Sequence, residues 1–239
     1  NKTKTKQTKP YQEENRPDSN NIIIYYFFLY GNGGFKRLLQ KGYSFENTFI
    51  PYATAVTAAG HATLYTGSLP AIHGIIGNDW EERDSAVSMY CTTDRSEKSV
   101  GTSSAQGRMS PRNLLTTTVG DELRLATNFK SRVFGVALKD RGGILTAGHS
   151  ANAAYWFDDS TGNWITSTYY MNELPGWVNK FNSKRFIDTL MMKDWNLLYD
   201  ISKYDQSTMD DNEFEKPLRH EKKPVFPHIY KDQVGKNYY

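Results

Sequence analysis

The stretch TAAGHATLYTGSLPAIHGIIGND, residues 57–79, decides which folds and functions the chain can have. It contains two His, four Gly, four Thr or Ser and one Asn. The small residues after Thr57 can begin a helix, where a hydroxyl faces unpaired backbone N–H groups and the positive end of the helix dipole. Such a hydroxyl either caps the helix or lies where an anion such as phosphate binds. The helix start alone leaves both interpretations of Thr57 open.

A second helix is predicted further along the chain. Ser110 followed by Pro111 is typical of a helix that begins with an N-cap and has Pro at its first position. Leu115, Val119 and Leu123 recur every fourth residue, and this spacing predicts one apolar stripe that faces a core.

The segment SRVFGVAL, residues 131–138, is rich in strand-forming residues and predicts a buried strand. A helix, a short loop and a buried strand in succession indicate an α/β fold, in which binding groups gather at the carboxyl ends of the strands. Lys139, Asp140 and Arg141 come directly after this strand. They are candidates for an anion site, and the alternative is an exposed charge cluster.

Other segments predict further elements of the same fold. The apolar run IIIYYFFLY, residues 22–30, favours a buried strand over the core of a short helix. GNGG, residues 31–34, is a turn rather than a phosphate loop because no Lys-Ser/Thr pair follows, and the helix after it ends at Gly42. Residues 153–170 predict a hairpin, and residues 177–195 predict a helix.

Composition and charge argue against a nucleic-acid-binding arm, an intrachain disulfide and a membrane-spanning segment. The chain has 239 residues and a formal net charge of +3, and its first nine residues, NKTKTKQTK, contain much of the positive excess. We predict that residues 1–21 are a disordered polar tail. A nucleic-acid arm is the alternative, but no Arg/aromatic interleaving follows. Cys91 is the only cysteine, no apolar run is long enough to span a bilayer, and no signal peptide is expected.

Residues 57–78 fit the pattern T-x-x-G-H-x(4)-T-G-x-x-P-x-x-H-G-I-x-x-N. This pattern resembles the nucleophile segment of the alkaline phosphatase superfamily. It is most similar to the bacterial threonine-nucleophile phosphomonoesterases, and similar segments occur in nucleotide pyrophosphatase/phosphodiesterases. The resemblance continues through five further motifs: GNDW (77–80), YCTTD (90–94), SPRNL (110–114), LKDR (138–141) and AYWFDD (154–159).

The resemblance implies a three-layer α/β fold, in which helices cover both faces of a mixed, mostly parallel sheet. On this interpretation residues 22–239 are an incomplete N-terminal portion of an alkaline-phosphatase-like domain. Residues 81–107 and 142–239 would be insert or cap elements. The expected location is periplasmic or secreted.

The resemblance also implies residue roles. Thr57 matches the nucleophile, which also ligates one of two zinc ions. Asn78 matches the side chain that donates to a nonbridging phosphate oxygen, and Lys139 and Arg141 match the pair that contacts the transferred phosphoryl group. The implied activity is the hydrolysis of small phosphate monoesters through a phosphothreonine, with no nucleic-acid partner. The alternatives are a phosphodiesterase relative and a truncated, non-catalytic fragment.

Two departures from the family weaken the predicted zinc site. No Asp stands at the end of the apolar run 22–30, and the remaining zinc ligands of the family fall outside this chain. We therefore expect a fragment that is inactive alone. His61 and His73 are interpreted as packing histidines, because the family uses these positions structurally. Cys91 lies in a segment similar to the C-x-P-x-R of sulfatases, but the Pro is missing, and we interpret Cys91 as a small hydrophobic residue.

Overall fold

The computed structural model describes most of the chain from Tyr30 onward. The described residues are 30–43, 45, 48–53, 55–84, 86–204, 207–218, 221–236 and 238. The tail predicted for residues 1–21 and nearly all of the predicted apolar strand lie outside them. Two compact units are present, Asn1–Phe49 with Leu197–Lys216, and Ile50–Asn196 with Pro217–Tyr239.

Among its described residues, the first unit has the helix α1 (Gly34–Lys41) and a 3₁₀ turn, Ile201–Lys203. Helix α1 follows the predicted turn and ends at Gly42, whose N–H donates to the Leu38 carbonyl at 2.8 Å. The predicted helix end is therefore confirmed. No helix in the described part of the chain is long and apolar enough to cross a membrane.

The second unit contains a two-stranded hairpin and a four-stranded sheet. Strands β1 (Asp79–Glu81) and β2 (Ser88–Tyr90) pair antiparallel. The larger sheet has the order β3–β6–β5–β4, and its strands are β3 (Ser99–Val100), β4 (Phe134–Ala137), β5 (Ala153–Asp158) and β6 (Asn163–Ser167). Strands β4 and β5 are parallel, and the other two pairings are antiparallel. The sheet is mixed, as expected.

The predicted hairpin is confirmed as β5 and β6, with Asp158 opposite Asn163 across the turn. Predicted strand 131–138 forms β4, but its predicted burial is wrong. Phe134 and Val136 are exposed, because β4 lies at the edge of the described sheet.

The described residues of the second unit also form six α-helices. They are α2 (Thr57–Thr66), α3 (Pro70–His73), α4 (Val119–Ala126), α5 (Asp140–Ala147), α6 (Gly176–Ser183) and α7 (Phe186–Met191). Helices α2 and α5 share a core cluster formed by Ala58, Ala62, Ile75, Cys91, Leu114 and Leu145. Cys91 is buried there, and burial raises the pKa of its thiol to about 12. Its interpretation as a small hydrophobic residue is confirmed.

The helix predicted from Ser110 is wrong, because α4 begins only at Val119. The Ser110 hydroxyl donates to Asp94 at 2.7 Å and accepts from the Arg112 N–H, so it forms a turn instead of an N-cap. Thr118 caps α4 in its place.

The apolar stripe predicted for this helix is also wrong within the described structure. Leu115 lies before α4, and the side chains of Leu115, Val119 and Leu123 are 73%, 64% and 49% exposed. The helix predicted over residues 177–195 is broken into α6 and α7. The break falls at Arg185, which has φ = 48° in the left-handed region.

Candidate functional site

Thr57 is the first residue of α2, and Val56 is the N-cap. Val56 is extended, and its carbonyl accepts the first helical hydrogen bond from Gly60 N–H at 2.9 Å. The capping interpretation of Thr57 is therefore wrong, since no side chain caps this helix. The Thr57 side chain is exposed, and its hydroxyl has no hydrogen-bond partner among the described residues.

Asn78 lies beside this helix start. Its Oδ1 accepts from Ala58 N–H at 3.0 Å, and its own carbonyl accepts from Cys91 N–H at 2.9 Å. A backbone N–H can only donate, so this contact distinguishes the Oδ1 end of the amide from its Nδ2 end. Both hydrogens on Nδ2 therefore face away from Ala58, and they have no partner in the part of the chain that the structure describes.

Lys139 and Arg141 lie at the carboxyl end of β4, as predicted. Lys139 is the N-cap of α5, and Arg141 is the second residue of that helix. The Nη1 group of Arg141 donates to the Tyr90 hydroxyl at 3.0 Å, and its guanidinium carbon lies 5.8 Å from the centre of the Tyr90 ring. Its Nε is buried without a partner among the described residues. Arg141 is therefore held against an aromatic ring and is not a free surface charge.

Tyr90 connects Arg141 to a buried carboxyl group. Its hydroxyl donates to Asp140 Oδ1 at 2.9 Å, and the Thr92 hydroxyl donates to Asp140 Oδ2. Burial raises the pKa of Asp140 despite these hydrogen bonds. Burial and the neighbouring Asp140 raise the pKa of Tyr90. Tyr90 therefore stays protonated, and a single hydroxyl both donates to Asp140 and accepts from Arg141.

Two of the four predicted site residues, Asn78 and Arg141, lie along one chain of contacts, which begins at Ala58, the residue after Thr57. Asn78 joins the start of α2 to Cys91, and Tyr90, next to Cys91, holds Arg141. Lys139 is linked to this path through the backbone of α5. The role of Tyr90 was not predicted from the sequence, because its bond to Arg141 spans 51 positions. The only signal was its place in the YCTTD motif.

The described residues do not by themselves form a metal site. No group of three His, Cys, Asp or Glu among them could hold a metal ion, and Thr57 is the one donor that the resemblance predicts. His73 has the contacts of a packing histidine. It is buried, its Nδ1 accepts from Ile75 N–H at 3.1 Å, and its Nε2 lies 3.1 Å from the Thr63 hydroxyl. Burial lowers its pKa and so favours the neutral ring. His61 Nδ1 bonds to the Thr57 carbonyl at 2.7 Å.

Sequence comparisons match nearly the whole chain. The family described as type I phosphodiesterase / nucleotide pyrophosphatase matches residues 24–236. Alkaline phosphatase PhoV from Synechococcus elongatus is 54% identical over 209 residues, which is 87% of this chain and 38% of PhoV. A Myroides odoratus protein named calcium-transporting ATPase is 54% identical over 198 residues, 83% of this chain and 36% of that protein.

Alkaline phosphatase PafA from Elizabethkingia meningoseptica is similar in sequence and in structure. It is 52% identical over 210 residues, 87% of this chain and 38% of PafA. The crystal structure of wild-type PafA superposes with a TM-score of 0.84 at 51% identity, covering 90% of this chain and 41% of PafA. A PafA variant with substitutions at a threonine, an asparagine, a lysine and an arginine superposes with a TM-score of 0.85 at 49% identity, with the same coverage of both chains.

This chain thus spans 36–38% of the length of the three relatives. The matched family covers far more than half of the chain, and the described fold agrees with that of PafA over 90% of it. The chain belongs to the type I phosphodiesterase / nucleotide pyrophosphatase family and has an alkaline-phosphatase-like α/β fold.

Proposed function

We propose that this chain supplies the nucleophile and the phosphate-binding side chains of a phosphomonoesterase. The observation that carries this proposal is the start of α2. There the exposed Thr57 hydroxyl has no partner among the described residues, beside an Asn78 amide whose Nδ2 is turned away from Ala58. A helix N-terminus stabilises negative charge, so a phosphate group would be favoured at this position.

The proposed reaction has two displacements at phosphorus. The Thr57 oxygen bonds to phosphorus while the bond to the leaving oxygen breaks, and the hydroxyl proton ends on the released alcohol. Water then attacks phosphorus and breaks the bond to Thr57, which releases inorganic phosphate and restores the hydroxyl. No side chain of the described residues accepts a hydrogen bond from Thr57, so the group that activates the hydroxyl lies outside them.

The proposed binding groups match the charge of a monoester. Asn78 Nδ2 would donate to one nonbridging oxygen, and Lys139 and Arg141 would neutralise the others. A monoester dianion carries more charge than a diester, so two cations favour the monoester.

The PafA variant supports these four assignments. Thr57 and Asn78 are 21 positions apart, as are the threonine and the asparagine substituted in PafA. Lys139 and Arg141 are two positions apart, as are the substituted lysine and arginine. The same residue types in the same order and at nearly the same spacing support one shared set of functional groups.

We include in the proposal the two-zinc site that the resemblance implies, with Thr57 as its ligand from the described residues. The other ligands would lie outside them. The chain alone is proposed to bind phosphate without turning over esters. Residues 81–107 and 142–239 are proposed as insert or cap elements, and the location is proposed as periplasmic or secreted.

A diester hydrolase is the second candidate, because the matched family is described as a phosphodiesterase and nucleotide pyrophosphatase. The two activities differ in the charge at phosphorus. Loss of Arg141 should therefore weaken monoester hydrolysis more than diester hydrolysis.

The test uses a chimera in which this chain replaces the matching part of PafA. We expect a higher kcat/KM for phenyl phosphate than for methyl phenyl phosphate, and a loss of about 100-fold on the monoester in Arg141→Ala. Arg132→Ala is the matched control, because Arg132 is an exposed arginine that lies just before β4, whereas Arg141 lies just after it. A preference for the diester would favour the second candidate. Multiple turnovers by the chain alone with zinc would contradict its proposed inactivity.

A further inference from the structure

A pocket of about 750 Å³ lies beyond the carboxyl ends of the parallel strands β4 and β5. The residues that line this strand-end pocket include the cationic Lys139 and Arg141 and the apolar Trp164, Phe181, Phe186 and Leu190. The carboxyl ends of parallel strands are where α/β folds bind ligands, and the volume is in the range of small-molecule sites. Cationic and apolar groups therefore face one shared space.

Phe181, Phe186 and Leu190 form what we call the apolar wall of the pocket. Its two aromatic rings belong to different helices. Phe181 on α6 and Phe186 on α7 lie with ring centres 5.1 Å apart, at an interplanar angle of 47°. Both rings and the side chain of Leu190 are exposed although they are large and apolar. Exposed apolar side chains gathered in one pocket are typical of a binding surface.

A strained residue sets the angle between these helices. Arg185 has φ = 48°, which is unfavourable for a residue other than glycine. Its Nε donates to Asp188 at 2.8 Å, and its Nη1 donates to the Thr161 carbonyl at 2.7 Å. The Tyr238 hydroxyl also donates to Asp188, at 2.6 Å. Strain of this kind persists only where surrounding contacts impose it, so the turn that brings Phe186 to Phe181 is firmly held.

We propose that the strand-end pocket binds the leaving group of the substrate, and that this group is flat and apolar. This inference rests on the proposed function, because Lys139 and Arg141 would hold the phosphoryl group at the polar side of the same pocket. An aryl group attached to that phosphoryl group would reach the wall of Phe181 and Phe186. Burying an aryl group there would favour aryl over methyl esters by about tenfold in affinity.

The test compares two ligands that carry the same dianion and are not hydrolysed, phenylphosphonate and methylphosphonate. Each is titrated into the full 239-residue chain by calorimetry. We expect phenylphosphonate to bind about tenfold more tightly. Phe186→Ala should bring the two affinities to within about threefold without changing that of methylphosphonate. Phe129→Ala is the matched control, because Phe129 is 53% exposed, against 44% for Phe186, and lies outside the pocket.

The outcomes separate this inference from the proposed function. Equal affinities in the unsubstituted chain, no measurable binding of phenylphosphonate, or a ratio unchanged by Phe186→Ala would each overturn the inference. A methylphosphonate affinity that survives Arg141→Ala would instead contradict the proposed function. If thermal unfolding shows that Phe186→Ala does not fold, Leu190→Ala provides the same comparison on the same wall.

Discussion

Two polar regions of the second unit look alike in sequence and differ in structure. The stretch 57–79, which begins with α2, and the turn between β5 and β6 both combine Thr, Ser and Gly with acidic and amide side chains. At the turn, Asp158 is completely buried. It accepts hydrogen bonds from the hydroxyls of Thr102, Ser104, Ser160 and Thr161.

At the start of α2 the same kinds of groups are left without partners within the described ranges. The Thr57 hydroxyl and the Asn78 Nδ2 both retain their full capacity to form hydrogen bonds. Polar groups that serve the fold are paired, because an unpaired buried group costs free energy. The comparison teaches that similar polar composition can be fully paired at a structural turn and left unpaired at a candidate site.

The largest expected effect that would test this comparison is on catalysis. Thr57→Ala should lower kcat/KM of the PafA chimera at least about 1000-fold, since it removes the proposed nucleophile. The free energy of unfolding should change by less than about 0.5 kcal/mol, because the hydroxyl has no partner to lose. Steady-state kinetics and urea unfolding measure the two quantities. Thr57→Ser is the control that keeps a hydroxyl. Retained activity with a clear loss of stability would make Thr57 structural.

The opposite result is expected at the turn. Asp158→Ala should lower the free energy of unfolding by about 3 kcal/mol, because four hydroxyls lose a charged acceptor. Methylphosphonate affinity should not change. Urea unfolding and calorimetry on the chain measure both, with the exposed Asp84→Ala as control. If Asp158→Ala left the free energy of unfolding unchanged, the hydrogen-bonded cluster around Asp158 would contribute no more to stability than the unpaired groups at the start of α2.

A smaller effect is expected at Tyr90, whose hydroxyl is paired with Asp140 and also holds the proposed binding group Arg141. In Tyr90→Phe, Arg141 loses its hydroxyl acceptor but keeps the aromatic ring beneath it. Methylphosphonate affinity should fall about fivefold, which corresponds to one hydrogen bond of about 1 kcal/mol. In the chimera KM should rise more than kcat falls, as expected for a positioning residue.

The control for Tyr90 is Tyr169→Phe, whose hydroxyl donates to the His149 carbonyl at 2.9 Å. This variant should leave the ligand affinity unchanged. An unchanged affinity in Tyr90→Phe, with lowered stability, would make Tyr90 a packing residue without a role in positioning Arg141.

The smallest expected effect is on acid stability. Burial raises the pKa of Asp158, but hydrogen bonds from Ser160, Thr102 and Thr161 outweigh it and lower the pKa below its usual range. A lowered folded-state pKa stabilises the fold above the unfolded-state pKa of about 3.9, and this stability is lost as pH falls through the folded-state value. Between about pH 5 and pH 3 the free energy of unfolding should therefore fall. The decrease should be smaller in Asp158→Asn than in the unsubstituted chain, with a difference of less than about 1 kcal/mol. Parallel pH profiles would contradict this cause.

The elements that sequence predicted well depend on local chemistry. Gly42 ends α1, the turn after Asp158 closes a hairpin, and Lys139 and Arg141 follow a strand, all within a few residues. The helix predicted from Ser110 failed because the Ser110 hydroxyl bonds to Asp94, 16 positions away. Local capping rules contain no information about such distant partners.

The candidate site shows the same division. Its four side chains were proposed from a resemblance to a family, whereas the contacts that hold them were not predicted. The Tyr90 hydroxyl that holds Arg141, and the Asn78 orientation set by Ala58 N–H, depend on contacts across 51 and 20 positions. The pairing of Phe181 with Phe186 depends on the strained conformation of Arg185, which no residue pattern in the predicted helix indicated.

The most direct test of the central claim is to trap the phosphorylated intermediate. The chimera is mixed with phenyl phosphate and quenched in acid, and its peptides are mapped by mass spectrometry. We expect a phosphate on the peptide that contains Thr57, located at its hydroxyl and absent from Thr57→Ala. A phosphate bound to a different residue, or full activity in Thr57→Ala, would contradict the claim that the unpaired hydroxyl is the nucleophile.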